Sequence, residues 1–145
     1  CAEILSDPEG LNEVSIFVED PISKLLLKTR PDRLLRDTVF DVKTTQDASP
    51  SGFLKECVKY GYFLQGAHYL YTCQLAGYDV SEFSFIACEK SAPYISHLHV
   101  MGPEIMEWAT SKLHETLAII AQAEEAVDYS TGWGDYTIID KPKWL

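Results

Sequence analysis

The sequence RPDRLLRDTVFDVKTT, residues 30–45, contains the pattern on which the fold prediction depends. Its last part, residues 39–45, has β-branched residues at both ends and predicts a strand. Residues 24–32 are rich in leucine and lysine and predict the preceding strand, and residues 33–37 predict a polar link between the two. The alternation over residues 13–19 predicts one more strand, which forms a hairpin with residues 24–32.

Two carboxylates and one ammonium group occur in this segment. Asp32 ends one predicted strand and Asp41 lies in the next, and adjacent antiparallel strands can bring the two close together. Lys43 is two residues from Asp41, so both side chains lie on one face. Two carboxylates that face one point are costly unless an ion neutralises them, and oxygen ligands select Mg²⁺ or Mn²⁺. The segment therefore predicts a divalent-cation site in which Lys43 orients water or stabilises charge on a phosphoryl oxygen.

A surface ion pair between Asp41 and Lys43 is the alternative interpretation, because such pairs on one strand face are usually solvated contacts. Three features favour the cation site. Asp41 lies between Phe40 and Val42 in an apolar strand, another predicted strand ends in Pro-Asp, and the helix that follows has a polar face.

The remaining chain predicts two helices and two further strands. The first helix has start signals at residues 49–51 and a stop at Gly77, and residues 82–89 and 94–100 alternate as strands. A second helix begins at Pro103. The order β-β-β-α-β-β-α predicts an α+β fold with a mixed sheet flanked by helices.

One face of the first predicted helix is polar. At about 100° per residue, five side chains fall within about a third of its circumference, and these are Lys55, Lys59, Tyr62, Gln65 and Tyr69. Two cations, an amide and two phenols suit a phosphate backbone and a strand end. An amphipathic helix with a solvated face is the alternative.

Composition limits the class of protein. The chain has 145 residues, of which 46% are hydrophobic and 23% charged, which excludes a disordered chain. It has no long apolar run and no basic-plus-apolar leader, so we expect a cytoplasmic protein without a membrane partner. The absence of a glycine-rich phosphate loop removes the main support for a nucleotide cofactor. The spacing of the four cysteines favours reduced thiols over a zinc site.

The net charge of −10 is unevenly distributed. Residues 24–36 contain five cations and one acid, whereas residues 103–140 contain eight acids and one lysine. Acidity opposes DNA binding, because lysine and arginine supply the attraction for phosphates. The basic segment includes Asp32, however, and we expect the acidic final helix to face away from the site.

The motifs together resemble the PD-(D/E)XK nuclease superfamily. The signature corresponds to residues 30–32 and 41–45, and Gln65 with Tyr69 resembles the QxxxY motif of its RecB- and lambda-exonuclease-like branch. Residues 85–94 and two pairs in the aromatic tail resemble the nuclease domain of the phage RecE type, exodeoxyribonuclease VIII. Those pairs are Trp133-x-x-Tyr136 and Pro142-x-Trp144. The resemblance implies a restriction-endonuclease-like fold.

The resemblance also implies roles for individual residues. Asp32, Asp41 and the Val42 carbonyl correspond to ligands for Mg²⁺ or Mn²⁺, and Lys43 corresponds to the catalytic lysine. Glu13 corresponds to an acidic residue often present in this branch, which we include as a metal ligand. The helix residues that correspond to positions near the scissile phosphate are Gln65 and Tyr69. The side chains predicted to contact DNA are Arg30, Arg33, Lys55, Lys59 and Tyr62.

The implied activity is a metal-dependent 5′→3′ exonuclease that hydrolyses double-stranded DNA from its ends, of the phage or prophage recombination type. Its implied partners are a single-strand annealing protein and further copies of the chain in a ring. The family usually has a histidine-bearing helix before these strands, whereas residues 1–12 contain no histidine. We therefore predict one domain over residues 1–145 that is truncated at its N-terminus. His97 and His99 are interpreted as ordinary strand residues.

Three other functions stay open at this point. The same core could form a structure-specific endonuclease, or a catalytically impaired module for DNA binding or scaffolding. A DNA-mimicking inhibitor would account for the acidity, but it leaves the intact set of Asp32, Asp41 and Lys43 without a role.

Overall fold

The computed structural model of the chain describes residues 1–130 and Lys141. Within these residues, eleven elements follow in chain order. They are α1 (Ala2–Ser6), β1 (Leu11–Asn12), β2 (Ile16–Glu19), β3 (Leu26–Thr29), β4 (Arg33–Leu35), β5 (Thr38–Thr45), α2 (Pro50–Tyr60), α3 (Tyr62–Leu75), β6 (Glu82–Glu89), β7 (Ser96–Val100) and α4 (Pro103–Ala126). The tail residues Trp133, Tyr136, Pro142 and Trp144, quoted above for the resemblance, lie outside the described residues.

The main sheet has five strands in the order β1-β4-β5-β6-β7. Strands β5 and β6 are parallel, and the other neighbouring pairs are antiparallel. Strands β2 and β3 form a separate antiparallel hairpin, as the sequence predicted. The predicted α+β fold with a mixed sheet flanked by helices is therefore confirmed.

Strand β4 lies where the sequence predicted a polar link. Leu34 and Leu35 are buried in this strand, and β4 joins β5 through a two-residue turn at Arg36 and Asp37, in which Arg36 has φ 55°. The charged residues around the two leucines hide the apolar pattern in the sequence. Asp32 consequently begins this β4–β5 hairpin and does not end the preceding strand.

The first predicted strand is shorter than expected and begins later. Glu13 has φ 49° and lies outside β2, which starts at Ile16. The chain before it forms β1, whose Leu11 and Asn12 pair with Leu34 and Arg33 of β4. The sequence interpretation missed β1 because two residues are too short to show a period.

The long predicted helix is interrupted at Gly61. This residue ends α2 in the left-handed region, with φ 69°, and α3 begins at Tyr62. A residue without a Cβ adopts this conformation at little cost, so glycine permits the break. Lys55 and Lys59 therefore lie on α2, and the helix face predicted to carry them together with Gln65 is divided between two helices.

Helices α2, α3 and α4 pack on one face of the sheet, and the side chains of β5 point alternately to the two faces. Val39 belongs to the main core beneath these three helices, whereas Phe40 belongs to a smaller cluster on the other face, which Ile4 of α1 contacts. Helix α4 is buried at Ala109, Leu113 and Leu117. Asp41 and Lys43 share the face of Val39, so both point towards the helix layer.

Two further findings concern membrane-spanning helices and the cysteines. Among the helices that the structure describes, none combines the length and apolarity that a bilayer span requires. All four cysteines are free thiols, and Cys57 and Cys73 are buried.

Candidate active site

The two aspartates lie on the same face of neighbouring strands. Arg33 of β4 pairs with Phe40 of β5, so that one step further in register places Asp32 opposite Asp41. Side chains alternate along both strands, and Asp32 and Asp41 therefore face the helix layer together. The Asp32 charge acts on Asp41, which is consistent with this close approach.

Asp41 is the buried centre of the site, with 4% of its surface exposed. Gln65 Nε2 donates a hydrogen bond to Asp41 Oδ1 at 3.0 Å. Lys43 Nζ lies 2.6 Å from Oδ2, so this ammonium offsets the charge of the buried carboxylate. Among the described residues, Oδ2 has no other donor. One ammonium balances only one carboxylate, and the charge of the neighbouring Asp32 therefore favours a further cation at this place.

The pKa of Asp41 is raised from its ordinary value. Burial is the largest cause, because it disfavours the charged form. The Lys43 ammonium and the Gln65 amide lower the pKa, and the charge of Asp32 raises it. Without a bound cation, the surroundings therefore make ionisation of Asp41 less favourable than that of a solvated aspartate.

The carboxylate of Asp32 occupies the end of the strand ladder. Its Oδ2 accepts a hydrogen bond from the Val42 N–H at 2.6 Å. The N–H and C=O of one strand residue point to the same side, so the Val42 carbonyl points towards Asp32 as well. The next main-chain partner in register would be Pro31, which has no N–H to donate. Pro31 therefore leaves the Val42 carbonyl without its ladder donor.

These oxygens fit a hard divalent cation. Asp32, Asp41 and the Val42 carbonyl provide oxygen ligands only, and Lys43 supplies one ammonium for the two carboxylates. Within residues 1–130 and Lys141, no cluster of three or more His, Cys, Asp or Glu side chains is positioned to hold a metal. Mg²⁺ is often bound through one or two carboxylates and keeps several waters, so two carboxylates and a carbonyl suffice.

Lys43 is fixed between a carboxylate and an aromatic ring. Its side chain is 18% exposed, and its Nζ lies 4.7 Å from the centre of the Tyr62 ring. That ring packs against Phe53 and Phe85, and burial raises the pKa of the Tyr62 hydroxyl. Tyr62, predicted to contact DNA, therefore contacts the lysine of the site.

The two predicted helix residues have different positions. Gln65 reaches the site through its bond to Asp41. Tyr69 follows one turn later, and its ring packs edge-on against Phe83 at 6.4 Å. In the described part of the chain, Tyr69 makes no hydrogen bond to Asp32, Asp41 or Lys43. Its predicted role at the scissile phosphate stays a prediction.

Glu13 and Arg30 lie at the edge of the site. Their side chains form an exposed ion pair at 3.5 Å, and the Glu13 N–H donates to the Asp32 carbonyl at 3.2 Å. The Glu13 side chain therefore contacts Arg30, and its role as a metal ligand stays a prediction.

Arg33 is buried and holds the N-terminal segment. Only 1% of its surface is exposed, and its guanidinium donates to Asn12 Oδ1 at 2.6 Å and to the Asp7 carbonyl. A Cβ at Gly10 would overlap this guanidinium, so a glycine is required there. A guanidinium buried in this way is not accessible to DNA, which corrects the predicted DNA contact of Arg33.

Lys55 and Lys59 are exposed on α2. The Lys59 ammonium lies 4.9 Å from the Tyr60 ring, and the charge of Lys55 acts on Asp47. Their predicted contact with DNA stays a prediction. His99 Nε2 donates a hydrogen bond to the Ala48 carbonyl at 3.1 Å, and the His99 ring stacks on Phe53.

Sequence reasoning missed one residue of the site, Pro31, which it quoted only as part of a motif. The available signal was a proline directly before an aspartate that starts a strand.

The chain is similar to proteins of known fold. A candidate exonuclease of Eubacterium rectale superposes with a TM-score of 0.64 at 15% identity, over 97% of this chain and 59% of that one. The alkaline exonuclease LHK-Exo of Laribacter hongkongensis gives a TM-score of 0.42 at 15% identity, over 87% of this chain and 66% of that one. This chain thus spans about three fifths of the first protein. No curated protein sequence matches it.

A family model matches residues 5–135 and carries the description PDDEXK-like domain of unknown function (DUF3799). The matched range includes every residue of the carboxylate–lysine site. The chain therefore belongs to this PDDEXK-like family.

Proposed function

We propose that the protein is a divalent-metal-dependent nuclease that hydrolyses phosphodiester bonds of DNA, and that it acts as an exonuclease on double-stranded ends. The observation that carries the proposal is that, among the described residues, two carboxylates, Asp32 and Asp41, lie on one face beside a single ammonium, that of Lys43, which is 2.6 Å from Asp41 Oδ2. Hydrolysis of a phosphodiester needs charge stabilisation and activated water, and this set of groups can provide both.

Each residue has a distinct task in the proposed reaction. Asp32, Asp41 and the Val42 carbonyl would hold Mg²⁺ or Mn²⁺. The cation, when bound, supplies Lewis-acid polarisation and a lower pKa for water. Gln65 fixes the orientation of the Asp41 carboxylate through its bond to Oδ1. Lys43 places a positive charge beside the phosphoryl oxygens, where negative charge develops during attack.

The decisive measurement is nucleotide release from end-labelled linear duplex DNA with and without Mg²⁺. We expect release with Mg²⁺ and none with a chelator. Lys43→Ala should abolish release yet keep Mn²⁺ binding, because it removes a charge and no ligand. Gln74→Ala is the control, since Gln74 bonds the Val80 carbonyl away from the site. Turnover by Lys43→Ala would exclude lysine from the reaction, and a wild-type protein without activity would reject the proposal.

A structure-specific endonuclease is the second candidate, because the same groups would cut an internal bond. Covalently closed circular DNA distinguishes the two, since an exonuclease leaves it intact. Labels at the 5′ and 3′ ends test the proposed 5′→3′ polarity. The annealing-protein partner and the ring-shaped oligomer stay predictions of the family resemblance.

A further inference from the structure

A groove of about 680 Å³ lies between the β2–β3 hairpin and the helices α3 and α4. Residues 24–28 of the hairpin form one wall, and Leu64, Leu113 and Leu117 belong to the helix wall. Gln65 lines the groove and also donates to Asp41. The groove, which we call the hairpin groove, therefore shares Gln65 with the carboxylate site.

The two walls of the hairpin groove differ in chemistry. Lys24 and Lys28 are exposed on the hairpin wall, and His68 lies beside them with its Nε2 3.1 Å from the Lys28 carbonyl. The helix wall is mainly aliphatic, and Glu124 is the one acid among the lining residues. The Lys28 ammonium rests 5.4 Å from the exposed Phe17 ring, and such an exposed contact is weak enough to exchange for a phosphate.

This arrangement matches the two sides of a nucleotide strand. Proteins that bind single strands combine cations along the backbone with an apolar surface for the bases. The volume is that of a small-ligand site, which suits a few nucleotides of one strand. The local positive charge also contrasts with the acidic chain as a whole, which favours an anionic occupant at this place.

We propose that the hairpin groove binds a short single-stranded stretch of DNA adjoining the bond to be cleaved. Lys24 and Lys28 contact its phosphates, and the aliphatic wall contacts its bases. This inference rests on the proposed nuclease function, because Gln65, which lines the groove and bonds Asp41, places a strand in the groove beside the proposed active site.

The charge contacts are tested by the salt dependence of binding. Fluorescence anisotropy with a labelled oligothymidylate, in the presence of a chelator, measures affinity without cleavage. We expect Lys24→Gln and Lys28→Gln each to reduce the slope of log K against log salt by about 0.7, the value for one phosphate contact on a single strand. The control is Arg36→Gln, which removes one charge of the same basic run at the β4–β5 turn.

The apolar wall is tested by a pair of neighbouring residues on α4. Ile120 lines the groove and is 42% exposed, whereas Ile119 does not line it and is 66% exposed. Both tolerate a polar substitution because neither is buried. We expect Ile120→Ser to weaken oligonucleotide binding several-fold with an unchanged salt slope, and Ile119→Ser to leave both unchanged.

Four outcomes would overturn the inference. The first is an unchanged salt slope in both lysine variants, and the second is an effect of Arg36→Gln on the slope as large as that of the lysine variants. The third is a loss of affinity in Ile119→Ser as large as in Ile120→Ser. The fourth is competition by polyglutamate as effective as by unlabelled oligonucleotide, which would identify a site for an acidic peptide. The two proposals fail separately. A protein that cleaves DNA but shows no groove effects contradicts this inference alone, and one that binds as expected without cleaving contradicts the proposed reaction.

Discussion

Pro31 affects the site because proline has no backbone N–H. Its place in the β4–β5 register is opposite Val42, whose N–H is bonded by Asp32 and whose carbonyl points the same way. An ordinary residue would offer an N–H to that carbonyl and close the ladder. That N–H would then compete with the cation for the Val42 carbonyl oxygen.

We therefore expect Pro31→Ala to weaken Mn²⁺ binding by roughly tenfold, about the cost of breaking one hydrogen bond of 1.4 kcal/mol before the metal can bind. Manganese electron paramagnetic resonance measures the affinity directly. Pro31 is also fully buried, so alanine removes packing as well. N-methylalanine at position 31, introduced by chemical ligation, is the matched control because it lacks the N–H too. Equal losses with alanine and N-methylalanine would assign the effect to packing.

Asp41 gives the metal-free protein a particular pH dependence. Its pKa in the folded state is raised above the ordinary 3.8, mainly by burial. A raised carboxyl pKa contributes stability that is fully present below the unfolded value and is lost as the pH rises through the folded value. The wild-type protein should therefore lose stability relative to Asp41→Asn from about pH 4 upwards. Urea denaturation in a chelator at pH 4–7 measures this difference, and a wild-type protein that gains stability relative to Asp41→Asn as the pH rises would show that Asp41 is stabilised as an anion.

At the level of elements, the β4–β5 hairpin determines the site, and Arg33 connects it to the chain before it. The guanidinium crosses from β4 to Asn12 of β1 and to the Asp7 carbonyl. Removal of a buried group with such partners leaves polar atoms unsatisfied.

We expect Arg33→Ala to lower the free energy of unfolding by about 2–4 kcal/mol, the range for a broken buried polar network. Chemical denaturation measures the loss. The exposed Arg30→Ala is the comparison, with a change of at most about 1 kcal/mol. If Arg33 bound DNA instead, its variant would keep its stability and lose affinity.

The sequence was informative where local pattern and tertiary structure agree. Strand β6 has the bounds predicted for it, and β5 differs by one residue, because both are eight residues long and mostly buried. Strand β4 was missed because Leu34 and Leu35 are a pair of apolar residues between charges, which shows no period. The burial of Arg33 was not predicted either, because it depends on hydrogen-bond partners 21 and 26 residues away in the sequence.

The convergence of Asp32 and Asp41 could be predicted from residue types and the strand pattern, although β4 was not recognised. The contact of Gln65 with Asp41 joins α3 to β5 over 24 residues and depended on the motif resemblance rather than on periodicity.

For the whole molecule, binding of a cation at the carboxylate site should raise the free energy of unfolding. The acidic chain holds two carboxylates together on one face, and a ligand that binds only the folded state stabilises it by RT ln(1 + [L]/Kd). Mg²⁺ at ten times its Kd should therefore add about 1.4 kcal/mol, a rise in Tm of about 3–6 °C for a chain of this size.

Differential scanning fluorimetry with a Mg²⁺ titration measures this shift. The variant Asp32→Asn should lose it, because the site then has a single carboxylate. Glu82→Gln, an exposed acid at the start of β6, is the control for general charge screening and should keep it. An equal shift in both variants would place the bound ion elsewhere on the acidic surface.

The turn between β4 and β5 consists of only two residues, Arg36 and Asp37, so it fixes the register of the strands that carry the aspartates. Successive side chains of a strand point to opposite faces. One residue inserted into β4 between the turn and Asp32 would therefore move the Asp32 carboxylate to the opposite face of the sheet. The spacing of nine positions between the two acids is therefore a constraint of its own: a substitution between them leaves both carboxylates on one side of the sheet, whereas a single inserted residue separates them.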